Sequence, residues 1–254
     1  AEFNKNVTVD FGLRGDARRI LRALNQRLEG GGHREWMERV LSSKKRDPVS
    51  QQPENEEAVT PHEVFGVLNR LTRSRAILST EVGQHQMWAA QFYEFRHPRR
   101  FITSGGLGTM GFGLGAAIGA QVANPGLRVI NVAGDGSFHM NCNELSTAAK
   151  YGIPVIELLF NNNVLGMVRQ WQKLFYGGRF SQTTLDKPTN YEMLAQAFGV
   201  RAFTISTRGD IGPVLKKALA HRGPCLINCR ISPDLNVLPM VPAGASAEDP
   251  MVEM

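Results

Sequence analysis

Three features of the sequence predict an α/β fold, a parallel sheet flanked by helices. Short apolar runs rich in branched residues alternate with helical patterns from Ala76 onward. These runs end in turns of Gly, Asp and Asn. One stretch, 127–162, is a complete strand–helix–strand unit, and a crossover of that kind makes its two strands parallel.

In chain order, residues 1–28 hold a short alternating strand (Val7, Val9, Phe11), a turn at Gly15-Asp16 and one amphipathic helix. That is too little to bury a core of its own. Residues 29–58 are Gly-rich, then charged, then polar, and read as a linker with a short helix over 36–41 whose Trp36 tucks onto a neighbour. The main domain, 59–254, opens on Thr60-Pro61, an N-cap followed by a first helical position, with Val64, Leu68 and Leu71 on the apolar face. Residues 76–82 form a first strand, 83–86 a loop at its carboxyl end, and 87–93 a helix. The segment 104–119 has glycine at seven of its sixteen positions. Such density lets a backbone approach a ligand closely. Met110, Phe112, Leu114 and Ile118 interrupt the glycines and argue against a plain linker; Met110 is either core filler or a bulky wedge in a ligand-holding loop.

The central unit begins with a buried strand over 127–133. Gly134-Asp135-Gly136-Ser137 is a turn able to cap the next helix. That helix, 138–151, carries Met140, Leu145 and Ala148 at helical spacing and stops at Gly152 and Pro154. A second buried strand, 155–160, ends in Asn161-Asn162. Paired parallel strands lie about 4.8 Å apart, so Asp135 and Asn162 face each other across an ion-sized gap. Their carboxylate and amide oxygens are hard ligands suited to Mg²⁺. Backbone N–H groups of Gly136 and Ser137 at a helix start suit a diphosphate. Each motif alone is ordinary turn chemistry; their placement at the two ends of one unit carries the signal. Residues 163–183 fit no single period and hold Trp171, Phe175, Tyr176 and Phe180, the mark of a functional loop or a partner-facing aromatic surface. Helix (190–198), strand (200–205), helix (211–221), strand (225–231) and a Pro-rich tail complete the chain.

The composition, 42% hydrophobic and 20% charged, allows a packed core. The net charge of +6 comes without zinc-ligand spacing, aromatic RNA-binding signature or helix-turn-helix, so nucleic acid is not the expected partner. No apolar run reaches a membrane span and no signal peptide opens the chain, giving an expectation of no membrane and a cytoplasmic or organelle-stroma location. Cys142, Cys225 and Cys229 lack metal-ligand spacing and read as small buried hydrophobes in a reducing compartment.

With these residues in place, the chain resembles thiamine-diphosphate enzymes and, more narrowly, the catalytic large subunit of acetolactate synthase (acetohydroxyacid synthase). The general signature is GDG followed, after a strand–helix–strand unit, by NN, here from Gly134 to Asn162. The narrower likeness rests on VGQHQMWAAQ (82–91), TSGGLGTMGFGLGAAIGA (103–120), GMVRQWQKLFY (166–176) and NVLPMVPAGAS (236–246). Gly115 stands where that family commonly has proline, and Glu81 where aspartate is usual.

The resemblance implies Mg²⁺ held by the side chains of Asp135 and Asn162 and the backbone carbonyl of Val164. Gly136, Ser137, Gln84 and His85 would hold the diphosphate. Gly108, Met110 and Met167 would hold the two rings, with Met110 as the wedge that keeps the cofactor bent. Val82, Gly83, Gly134 and Gly166 would complete the cofactor surface, and Trp171 would line the pocket of the second 2-oxoacid. The implied reaction, a transfer in branched-chain amino-acid biosynthesis, decarboxylates pyruvate and condenses the two-carbon fragment with pyruvate or 2-oxobutyrate. The resemblance further implies an N-terminal portion that supplies an activating glutamate absent here. It also implies a middle domain that binds FAD, with 1–28 as its C-terminal remnant, a homodimer or tetramer, and a regulatory small subunit. The chain alone is therefore expected to have no synthase activity. The alternatives are a non-catalytic cofactor-binding fragment and a related thiamine-diphosphate 2-oxoacid decarboxylase or carboligase.

Overall fold

The computed structural model describes residues 2–46, 49, 51, 53, 55–185, 189–246 and 250–252. Its contacts divide the chain into two units, Ala1–Pro48 and Val49–Met254.

The first unit holds α1 (Ala17–Asn25) and α2 (Arg34–Arg46). Asp16 caps α1 by accepting the Arg19 N–H at 2.9 Å. The strand expected around Val7 to Phe11 does not form: these residues are irregular and exposed, and among the described residues of this unit there is no strand to supply a ladder. The helix expected over 36–41 is longer at both ends, and Trp36 is 62% exposed, with the Arg39 guanidinium 5.8 Å from its ring. Part of the expected linker, at residues 47, 48, 50, 52 and 54, lies outside the described residues.

In the second unit six strands, β1 (Ile77–Thr80), β2 (Phe101–Thr103), β3 (Val129–Gly134), β4 (Ile156–Asn161), β5 (Arg201–Ile205) and β6 (Cys225–Arg230), form one sheet in the order β2-β1-β3-β4-β6-β5. Every pairing is parallel. Both faces are covered, which is why β4 is buried at every position. On one face α3 (Pro61–Thr72), α4 (Gln84–Phe92) and α10 (Ile211–Ala220) pack Phe65, Leu68, Trp88 and Leu215 against Ile130, Leu158 and Ile227. On the other, α5 (Gly113–Ala123), α7 (Leu145–Lys150) and α9 (Tyr191–Ala197) pack Leu114, Leu145 and Tyr191 against Val129, Leu159 and Leu226. Cys225 and Cys229 belong to the first core as free thiols; burial pushes the Cys225 thiol up to about 12. Cys142 is also free but only half-buried. Among the described residues no helix is long and apolar enough to cross a membrane.

The chain leaves β1 toward β2 on one side and then returns to β3 on the other. The strand order therefore reverses between β1 and β3, and open α/β sheets bind ligands at the carboxyl ends of the strands flanking such a reversal.

Three sequence expectations need correction. The helix over 138–151 is broken into α6 (Asp135–Phe138), a 3-10 turn (Cys142–Glu144) and α7. Asn141 leaves helical geometry (φ −147°, ψ 27°) while its side chain donates to the Gly111 carbonyl at 3.2 Å, and Met140 is left exposed. Gln84 and His85 do not lie in a loop but open α4. Much of the aperiodic stretch after Asn163 is helical, α8 (Gly166–Phe175), and its aromatic side faces out: Trp171 is 45% exposed.

Candidate cofactor site

A cleft enclosing about 110 Å³ lies at the carboxyl edge of the sheet, at the reversal between β1 and β3. Four chain segments form it. The turn after β1 brings Val82, Gly83, Gln84 and His85; the turn after β3 brings Gly134, Asp135, Gly136 and Ser137. The segment after β4 brings Asn162, Val164, Gly166 and Met167, and Met110 enters from the glycine-rich loop. Thus all but two of the expected residues converge. Gly108 is not on the wall; a Cβ there would meet Val82 Cγ1 at 3.7 Å, so it backs the lining instead. Trp171 lines a separate, wider groove along α8, which shares Met167 with the cleft.

The turns after β3 and β4 are tied through Asp135. Its Oδ1 accepts the Gly136 N–H at 2.9 Å and its Oδ2 accepts the Asn163 N–H at 2.6 Å. Asp135 is 1% exposed, and burial pushes its carboxyl up to about 6 against the opposing effect of these amides. Asn162 accepts the Val164 N–H at 3.2 Å through Oδ1. Val164 forms a bridge with Thr184 that uses the Asn163 carbonyl and the Leu165 N–H, so the Val164 carbonyl is not consumed by it. A carboxylate, an amide oxygen and a backbone carbonyl form an all-oxygen set that fits Mg²⁺.

The opposite wall depends on close approach. The His85 imidazole is held between two glycines: a Cβ on Gly83 would lie 2.8 Å from its Cε1, and one on Gly134 would lie 2.7 Å from its Nδ1. Any side chain at either place would drive the turns after β1 and β3 apart. His85 Nε2 lies 3.5 Å from Ser137 Oγ, which donates to the Gly134 carbonyl at 3.1 Å. Desolvation lowers the imidazole to about 3, despite a bond to the Glu81 carbonyl that favours its charged form, so it is neutral in the folded protein.

A folded-state value below the ordinary 6.5 means that the unfolded chain gains a proton first as pH falls. His85 therefore contributes stability that is present above about 6.5 and lost toward about 3. Measured against wild type by denaturant unfolding, His85→Gln is expected to gain relative stability as pH falls from 6.5 to 4.5. A pH-independent difference would contradict a neutral, buried imidazole.

Sequence reading did not single out Gln170. It is 2% exposed and joins three segments: its Oε1 accepts from Gln84 Nε2 (2.8 Å) and the Val237 N–H (2.9 Å), and its Nε2 donates to the Val237 carbonyl (3.0 Å). No local pattern marks a glutamine whose partners lie 86 and 67 residues away. Gln84 Oε1, on the cleft wall, is buried without a hydrogen-bond partner among the described residues, and it faces Gly166. Glycine-lined turns and a hard-oxygen set together fit a magnesium-bound diphosphate cofactor, and the orphaned Gln84 Oε1, an acceptor, would take a hydrogen-bond donor rather than a phosphate oxygen.

Comparison with known proteins gives the same direction. Residues 81–229 match the family model described as thiamine pyrophosphate enzyme, C-terminal TPP binding domain. The acetolactate synthase large subunit of Lactococcus lactis subsp. lactis is 39% identical over 250 residues, covering 98% of this chain and 43% of the relative. That of Porphyra purpurea is 40% identical over 253 residues, covering 97% and 42%. The chloroplastic acetolactate synthase of Arabidopsis thaliana is 40% identical over 266 residues, covering 100% and 40%. The chain thus spans about two fifths of the length of the curated relatives it matches. The match begins at Glu81, just after β1, and ends at Cys229 in β6, so it takes in all four cleft-forming segments. On that match the chain belongs to the thiamine pyrophosphate enzymes, as their C-terminal cofactor-binding domain.

Proposed function

We propose that the chain is the cofactor-binding C-terminal portion of an acetolactate synthase large subunit, holding thiamine diphosphate through Mg²⁺ in this cleft. The observation that carries the reading is the pairing of Asp135 with the turn after β4, through the 2.6 Å bond from Asn163, at the point where the strand order reverses. Asp135, Asn162 and the Val164 carbonyl would hold the metal. Ser137, Gln84, His85 and the backbone at Gly136 would hold the diphosphate, and Met110 and Met167 the rings. When bound, the cofactor supplies an electron sink for decarboxylating pyruvate and passing a two-carbon unit to pyruvate or 2-oxobutyrate.

This chain's residues orient that cofactor and shield it from water; the neutral His85 presents an uncharged hydrogen-bonding edge. Trp171, on the groove that shares Met167, would shape the acceptor site. The whole enzyme would add an N-terminal portion carrying the activating glutamate, a middle domain with FAD, a second copy of the subunit and a regulatory small subunit.

The test joins this chain to the N-terminal portion of a relative such as the Lactococcus lactis subunit and assays products from pyruvate. Acetolactate is the expected product, and acetaldehyde alone would shift the reading to a decarboxylase. In the active protein, Trp171→Leu is expected to change the preference between pyruvate and 2-oxobutyrate about tenfold, the scale of a reshaped apolar pocket. Cofactor affinity should stay the same. An unchanged preference removes Trp171 from the acceptor site.

A further inference from the structure

Glu81 follows β1 directly and is 1% exposed, a carboxylate buried in the core of the cleft's support. Its Oε2 accepts the Gly111 N–H at 2.6 Å and its Oε1 accepts the Leu114 N–H at 3.1 Å. Helix α5 has no side-chain cap from its own N-cap residue, Phe112. A carboxylate 30 residues upstream in sequence caps it instead, where the amides of a helix start favour negative charge.

The consequence falls on Met110. Gly111 is held on both sides, its N–H by Glu81 and its carbonyl by Asn141 Nδ2 at 3.2 Å. Its φ is +87°, and a Cβ there would lie 3.0 Å from Met140 Cβ, so the peptide can neither turn nor carry a side chain without strain. Upstream, the Thr109 N–H donates to Ser104 Oγ at 3.0 Å. Met110 therefore projects into the cleft from between two anchored residues. Glu81 is also the residue immediately before the lining turn of Val82, Gly83, Gln84 and His85. The backbone of Glu81, held in the sheet by its N–H to the Val132 carbonyl at 2.9 Å, carries the wall with His85, while its side chain alone reaches the loop that carries Met110.

We propose that Glu81 is a positioning residue, a clamp that sets Met110 against the ring end of the cofactor while leaving the diphosphate end untouched. The proposal rests on the cofactor reading given above. It separates two ligands that share an anchor. Thiamine diphosphate needs both the metal-diphosphate site and the wedge, whereas inorganic pyrophosphate needs only the first.

The test is calorimetric titration of the 254-residue chain with each ligand in the presence of Mg²⁺. In Glu81→Gln, affinity for thiamine diphosphate is expected to fall about tenfold, the scale of losing a hydrogen bond to a charged group. Affinity for pyrophosphate should be unchanged. In a Met110→Ala background, Glu81→Gln should have no further effect on thiamine diphosphate, because the clamp acts through Met110. Should Glu81→Gln not fold, Asn141→Ala loosens the same Gly111 peptide from its carbonyl side and should show the same selective loss. Equal weakening of both ligands, no weakening of either, or additivity with Met110→Ala overturns the clamp while leaving the cofactor reading intact. Wild-type chain that binds neither ligand overturns both.

Discussion

Asp135→Ala is expected to abolish Mg²⁺-dependent binding of thiamine diphosphate, with a loss of at least about 100-fold, since even outer-shell partners of metal ligands contribute 10–100-fold. The residue supplies the only carboxylate on the cleft wall among the described residues, so its removal leaves neutral oxygens to hold a divalent cation. The fold should persist. The side chain accepts two backbone N–H groups, and losing them costs about 1–3 kcal/mol each at most, against a sheet covered on both faces. Thermal unfolding distinguishes the two effects. At 100 times its dissociation constant the cofactor adds about 2.7 kcal/mol to wild type, a rise of about 5–10 °C for a domain of this size. The variant should unfold cooperatively and show no rise with metal and cofactor. A wild-type-sized rise in Asp135→Ala would end the metal assignment.

Gly113→Ala should show the largest loss of stability for the smallest added group. Helix propensity alone predicts the opposite, because alanine in place of glycine stabilises a helix interior by up to about 1 kcal/mol. Here the added Cβ would lie 2.6 Å from Glu81 N and 2.7 Å from Thr80 C, and against Asn131 Oδ1. Two of these atoms are backbone at the end of β1, in the middle of a paired sheet, and cannot swing aside. The start of α5 must move away instead. That movement breaks the 2.9 Å bond from Ser79 Oγ to the Gly113 carbonyl and the 3.1 Å bond from Leu114 to Glu81. Overpacking of this kind costs about 1–3 kcal/mol before the lost hydrogen bonds are counted, so a net loss of about 2 kcal/mol or more is expected. The midpoint should fall by about 4–8 °C. Gly115→Ala is the control: the position is exposed and a Cβ meets nothing within 4 Å, so propensity should prevail and the midpoint should rise. Equal behaviour of the two variants would refute the close contact between α5 and β1.

The two variants also show where local reading succeeds. Thr60 and Pro61 start α3 as their residue types predict, with Thr60 Oγ1 accepting the Glu63 N–H at 3.3 Å. The apolar runs at 129–134, 156–161 and 225–230 are strands because branched side chains fill both faces of a covered sheet. Local reading fails where a distant partner decides. The stretch after Phe138 has a helical spacing, yet Asn141 bonds to Gly111 and breaks it. Residues 166–175 do alternate at helical period, with Val168, Trp171 and Phe175 on one side and Arg169, Gln170 and Lys173 on the other. The usual orientation is inverted, the apolar side exposed and Gln170 buried, and the irregular residues on either side hide the pattern in the longer stretch.

By itself the sequence determined the alternation of strands and helices, the parallel character of the sheet, and the meeting of Asp135 with the Asn162 turn. Each follows from a pattern confined to one strand–helix–strand unit, where the chain's own geometry leaves little choice. The tertiary structure alone decided the order β2-β1-β3-β4-β6-β5, and with it the reversal beside β1 that brings His85 between two glycines. It also decided the pairings of Glu81 with Gly111 and of Gln170 with Gln84 and Val237. Periodicity records which face of an element is buried; which neighbour covers that face is set by packing among segments far apart in the chain.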